Sequence, residues 1–133
     1  MSFAAADTIL SYFSESNTKL TELDAIVTGD LGRVGSDILK DILAMKLPGA
    51  ERLHYDCGLM LYDMKTADCH SGASGCGTSA SVLASHYLPL LRDGGLRRIL
   101  FLSTGALMSP SSLLQNQNIA GIAPLIKIES QLS

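Results

Sequence analysis

Apolar side chains recur at helical spacing at Ala5, Ile9 and Tyr12 or Phe13, and the polar run Ser14-Glu15-Ser16-Asn17 follows. That spacing predicts a helix with one buried face over Ala4 to Phe13. Asp24-Ala25-Ile26-Val27-Thr28 reads as a short buried strand that runs into the glycine-rich turn Gly29-Asp30-Leu31-Gly32-Arg33-Val34-Gly35-Ser36. A second helix follows, with Ile38, Leu39, Ile42 and Leu43 on one stripe, and Pro48-Gly49 closes it. Gly58 to Tyr62 is the next strand candidate, with a turn at Asp63-Met64-Lys65. After a run of small residues, Ala80, Leu83, Ala84, Tyr87, Leu88 and Leu91 mark a third helix, and Pro89 is expected to kink its last turn or end it early. Asp93-Gly94-Gly95 turns the chain, and Ile99-Leu100-Phe101-Leu102, apolar at every position, has the character of a parallel strand covered on both faces. Ile122 to Glu129 suggests a last strand despite Pro124.

Strand, glycine turn and helix in succession make an α/β unit, and ligands of such sheets sit at the C-terminal ends of the strands. At 133 residues the chain suits a single domain, 1–133, without internal repeats. Hydrophobic residues make up 47% and charged ones 17%, which excludes a disordered chain. The net charge of −3 and the lack of basic clusters beyond pairs such as Arg97-Arg98 give no face for nucleic acid. No stretch approaches the ~20 apolar residues of a membrane span. Three cysteines without a signal peptide lead to the expectation of a reduced compartment, cytoplasmic or peripheral on a membrane.

The small-residue run Ser71-Gly72-Ala73-Ser74-Gly75-Cys76-Gly77-Thr78-Ser79-Ala80-Ser81 carries the candidate chemistry. It brings Cys76 to the start of a helix, with Thr78 or Ser79 as N-cap, where unsatisfied N–H groups favour an anion or a thiolate. The alternative is a tight turn around a structural cysteine. His54, Cys57, Cys69, His70 and Cys76 invite a zinc site, but their spacing matches no paired-knuckle pattern. Gly29, Gly32 and Gly35 invite a phosphate loop, yet the lysine that such a loop needs before Ser36 is missing. A nucleophilic Cys76 needs a base beside it, and His86 lies two to three turns along the helix, out of reach. His70 is nearer, with nothing further to support it.

Four motifs in order resemble the stage V sporulation protein AD family: Ile26 to Ser36, Tyr55-Asp56-Cys57-Gly58-Leu59-Met60, Ser74-Gly75-Cys76-Gly77, and Thr104-Gly105-Ala106-Leu107-Met108-Ser109-Pro110. The match runs from about Ala4 to about Glu129 and covers the C-terminal part of a family whose members are more than twice this length. The resemblance implies the C-terminal half of a thiolase-like fold, a mixed sheet covered by helices. It also implies a missing N-terminal half and a missing strand before Ala4, so that the chain is expected to be a fragment of a longer architecture.

What the resemblance implies for function is a non-enzymatic component that binds dipicolinic acid, as its calcium complex, for uptake into the developing spore. Implied partners are the other subunits of the spore dipicolinate channel, at the spore inner membrane, together with the missing half or a second copy of this chain. No cofactor and no resident metal are implied. The expected binding residues are Thr28, Gly29, Asp30, Arg33, Ser74, Gly75, Cys76 and Thr78, with the helix starts at Ser36 and Ser79 assisting. Two alternatives remain open: an acyltransferase using Cys76, and a remnant without function.

Overall fold

The computed structural model describes residues 1–63, 77–107, 110–118 and 120–131. Helix α1 spans Ser2–Glu15 and buries Ala5, Ala6 and Ile9. Strand β1 (Ala25–Thr28) is buried at every position and leads into helix α2 (Gly32–Lys46). A short helix α3 (Ala50–Leu53) precedes strand β2 (His54–Asp56) and helix α4 (Cys57–Leu61). Helix α5 (Thr78–Val82) passes through a π-helical turn at Leu83–Tyr87 into helix α6 (Leu88–Arg92). Strand β3 (Arg98–Leu102) follows, then β4 (Gly105–Leu107), helix α7 (Pro110–Leu114), β5 (Ala120–Ile122) and β6 (Leu125–Glu129).

The main sheet has the order β2-β1-β3-β6, with β1 parallel to both β2 and β3, and β6 antiparallel to β3. It is therefore a mixed sheet. Alternation along β1 and β3 divides the core into two layers. Ile26, Leu100 and Leu102 face α1 and α2, packing with Ala5, Ile9, Leu39 and Leu43. Ala25, Val27, Ile99 and Phe101 face the other way, onto Cys57, Val82, Tyr87 and Leu91. Helices thus cover both faces of β3, which explains its unbroken apolar run. Each of its four buried side chains contributes about 1.5–3 kcal/mol relative to exposure.

Three elements differ from the sequence expectation. Gly58 to Tyr62, expected as a strand, begins within α4 instead, and the strand is the preceding His54–Asp56. The Asp56 side chain accepts the Leu59 amide and caps that helix, so a capping residue overrides the β-propensity of the apolar run. Pro89 does not end its helix early: Leu88 N–H bonds back to Leu83 C=O across the π turn, and the helix runs on to Arg92. The wider turn just before Pro89 accommodates the ring and its missing donor. The last strand is two, because Ala123-Pro124 breaks it and sends β5 to pair with β4 in a separate two-stranded sheet.

Candidate functional site

The parallel strands end level with one another, since Thr28 is opposite Asp56 on one side and Leu102 on the other. Asp56 sits 2% exposed at the end of β2 and is the hub of this edge. Its Oδ2 accepts the Thr28 hydroxyl at 2.6 Å and the Leu31 amide at 2.8 Å. Its Oδ1 accepts the Gly32 amide at 3.1 Å and the Leu59 amide at 3.4 Å. One carboxylate therefore caps the starts of both α2 and α4, where negative charge is favoured by the helix dipole. Gly32 has φ +65°, which a side chain would strain, and that conformation turns its N–H toward Asp56 at the helix start.

His54 is buried beside this hub and touches Thr28 Oγ1 through Nε2 at 2.9 Å and Ser36 Oγ through Nδ1 at 3.4 Å. The Thr28 proton is directed at Asp56, so His54 Nε2 donates to Thr28 and Nδ1 accepts from Ser36. That is the neutral imidazole. Burial lowers its pKa from 6.5 to about 4, against the opposing pull of Asp56. Cys57 is fully buried next in sequence, and burial, with Asp56 and Asp30 adding to it, pushes its thiol up to about 12. A thiol held so far from its thiolate is a packing group.

Above the hub, the chain leaves β1 through Gly29 and Asp30. Gly29 N–H donates to Leu102 C=O at 2.8 Å, and Asp30 N–H donates to Thr104 Oγ1 at 2.9 Å, so the exits from β1 and β3 are tied together. A Cβ on Gly29 would lie 3.0 Å from Ser79 Cβ and 3.2 Å from Thr104 N. Glycine is needed here because three segments meet with no room for a methyl group. Tyr87, on the π turn, donates to Met60 Sδ at 3.2 Å and closes the layer below α4.

Of the residues expected to bind, Gly29 and Asp30 stand at this junction and Thr78, 3% exposed, lies at the start of α5. Thr28 is wholly buried and its hydroxyl is engaged by Asp56 and His54. Arg33 is exposed on the first turn of α2. Ser74, Gly75 and Cys76 lie outside the described residues, as do Cys69 and His70. The helix start expected at Ser36 is at Gly32, and two amides at that start, those of Leu31 and Gly32, are occupied by Asp56. Ser36 is a buried partner of His54 instead. The N-cap position of α5 is Gly77 rather than Thr78 or Ser79. His86 packs edge-on against Tyr87, with ring centroids 5.0 Å apart.

Sequence reasoning missed Asp56 and Thr104 as parts of the junction. Asp56 is the last residue of β2 and Thr104 stands two residues beyond β3, positions from which a short polar side chain can reach a neighbouring turn. Among the described residues no group of three His, Cys, Asp or Glu side chains is placed to hold a metal ion, and no helix is long and apolar enough to cross a membrane.

The chain matches the family model for stage V sporulation protein AD over residues 1–129. It is 43% identical over 123 residues to stage V sporulation protein AD of Bacillus subtilis (strain 168), an alignment covering 92% of this chain and 36% of that protein. The chain thus spans about a third of the length of the curated relative it matches. The motifs Ile26 to Ser36 and Tyr55 to Met60, whose polar members tie the strand ends together, fall within the matched range, and the chain belongs to the stage V sporulation protein AD family.

Proposed function

We propose that this chain serves in sporulation as a non-enzymatic binding element for dipicolinic acid, presented as its calcium complex for uptake into the developing spore. Membership of the stage V sporulation protein AD family supports the sporulation role. The observation that carries the binding reading is the junction of Gly29, Asp30, Thr104 and Ser79 at the C-terminal ends of β1 and β3, the end of an α/β sheet that receives ligands. Dipicolinate is a flat dicarboxylate, and calcium, a hard cation, takes oxygen ligands from carboxylates and carbonyls alike. Asp30 supplies such oxygens. Ser74, Gly75 and Cys76, which precede Thr78 in sequence, count among the binding residues in this reading, and Thr28 holds the β1 exit from beneath.

The groups below the junction favour binding over catalysis. His54 is held neutral between two hydroxyls, Asp56 is consumed as a cap, and the Cys57 thiol is raised out of reach of neutral pH. Condensing chemistry in a thiolase-like site needs donors aimed at a thioester oxyanion, and losing one such contact costs on the order of 10²–10³ in rate. Calorimetric titration with dipicolinate, with and without calcium, tests the proposal. Saturable heat that requires calcium is expected. Absence of heat under both conditions, or acetyl-CoA turnover above that of a Cys76→Ser control, overturns it.

A further inference from the structure

We propose, resting on the binding reading above, that Asp56 is a positioning residue for the candidate site: without touching ligand, its carboxylate holds the turn that carries Asp30 in the conformation calcium-bound dipicolinate requires. The turn at 29–32 has all four of its amides taken. Gly29 N–H donates to Leu102 C=O at 2.8 Å and Asp30 N–H to Thr104 Oγ1 at 2.9 Å, both toward the β3 exit. Leu31 N–H and Gly32 N–H donate instead to the end of β2, to Oδ2 and Oδ1 of Asp56 at 2.8 and 3.1 Å. Asp30 therefore stands between two anchors on the β3 side and two on a single carboxylate. That carboxylate belongs to a residue only 2% exposed, below the reach of a ligand.

The second pair of anchors is the one that selects the conformation. Gly32 lies at φ +65°, one of several regions open to glycine, and its bond to Asp56 Oδ1 picks this one. A turn so fixed has little freedom left to lose when Asp30 meets a cation, and preorganisation of that kind appears as affinity. Residues that orient a metal ligand from behind typically change metal affinity about 10–100-fold when replaced.

The plainer role for Asp56 is that of a cap alone, which stabilises α2 and α4 whether or not a ligand follows. A cap changes stability, whereas a positioning residue changes affinity. Asp56→Asn separates the two with the least change of shape. Every bond to the carboxylate comes from a donor: the Thr28 hydroxyl and the amides of Leu31, Gly32 and Leu59. Asparagine offers one oxygen and one NH2, so in either orientation a turn amide, that of Leu31 or of Gly32, faces a second donor.

Calorimetric titration of the full chain with dipicolinate and calcium, at a temperature where melting curves show each variant folded, is the test. For Asp56→Asn the Kd should rise about 10–100-fold, while binding still requires calcium because Asp30 keeps its carboxylate. Gly32→Ala disfavours the same backbone conformation without removing the acceptor and should also weaken binding. The double variant should bind no worse than the weaker single one, since both act through one bond. Leu43→Ala, which opens a cavity in the buried stripe at the far end of α2, should lower the melting temperature and leave Kd unchanged. Amide hydrogen exchange supplies a readout without ligand: in Asp56→Asn the amides of Leu31 and Gly32 should exchange faster, and that of Leu39 should not. An unchanged Kd for Asp56→Asn, a loss of affinity as large for Leu43→Ala, or unaltered exchange at Leu31 and Gly32 overturns the positioning role. Failure of the parent chain to bind dipicolinate with calcium overturns the binding reading instead, and hydrogen exchange alone then decides whether Asp56 holds the turn.

Discussion

The Thr28 hydroxyl donates to Asp56 Oδ2 at 2.6 Å across the ends of two adjacent parallel strands, and this bond fixes the floor of the candidate site. Thr28→Val removes the hydroxyl and leaves His54 Nε2–H without its acceptor, which should cost about 1–3 kcal/mol. Asp56→Ala strips the acceptor from the amides of Leu31, Gly32 and Leu59 together, uncapping α2 and α4, and should cost more, roughly 3 kcal/mol or above. Urea denaturation followed by circular dichroism measures both. An Asp56→Ala chain no less stable than Thr28→Val would show that the carboxylate is not the hub.

His54 makes stability depend on pH in a definite direction. Its folded pKa of about 4 lies below the ordinary 6.5, so between those values the unfolded chain takes up a proton that the folded chain refuses. Stability is then fully present above about pH 6.5 and declines as the pH falls toward 4, by on the order of 3 kcal/mol in all. His54→Gln keeps an N–H for Thr28 and cannot titrate. Chemical denaturation at several pH values should give a shallower acid slope for that variant than for the parent chain, and equal slopes would assign the acid sensitivity to other groups.

The strands β1 and β3 were legible because each is buried on both faces, and such strands write themselves as continuous apolar runs. The helix stripes were legible for the same reason, Leu39 and Leu43 facing the core at a spacing of four. What stayed hidden was decided by single polar atoms. Asp56 converts the following apolar run from strand to helix by capping it, and the same carboxylate fills the α2 start that sequence reasoning had reserved for a ligand. His54 and Cys57 suggested metal by residue type, whereas their burial beside two hydroxyls and an apolar layer is a tertiary fact that spacing does not record. Resemblance to the family, carried by separated motifs, proved the more telling signal.

Close approach at Gly29 yields another expected outcome. A methyl group there would press on Ser79 Cβ at 3.0 Å and on the Thr104 backbone at 3.2 Å. Gly29→Ala should therefore destabilise the chain by about 1–3 kcal/mol through overpacking. Ser79→Gly vacates one of the two contacts, so the double variant should recover part of the loss in thermal melts. Failure of Ser79→Gly to recover any stability would separate the start of α5 from the β1 exit.

Cys57 should resist alkylation. Its thiol is fully buried and raised to about 12, so hardly any thiolate exists at pH 8. Native protein treated with iodoacetamide and then mapped by mass spectrometry should show Cys57 unmodified, and the same treatment in urea should label it. Rapid native labelling would mean that the layer of Val82, Tyr87 and Leu91 opens far more readily than its packing indicates.

Under the binding proposal, Asp30 is the residue that would set the calcium dependence of dipicolinate binding. Its backbone N–H donates to Thr104 Oγ1 at the β1 exit, and the residue is half-buried there. An ionised carboxylate there repels a dicarboxylate unless calcium lies between them, because the cation accepts oxygen ligands from both. The competing role is local, since Asp commonly stabilises the turn it stands in. Asp30→Asn keeps the shape and removes the charge. If Asp30 meets calcium, the variant loses the calcium dependence of dipicolinate binding in calorimetry while its melting curve stays in place. If Asp30 only stabilises the turn, the melting temperature falls and the calcium dependence survives, and the assignment of this side chain to the binding wall is then wrong. A Thr104→Val variant distinguishes the backbone tie from the charge: it removes the acceptor of the Asp30 amide without touching the carboxylate, so it should lower stability by about 1 kcal/mol and leave the calcium requirement intact.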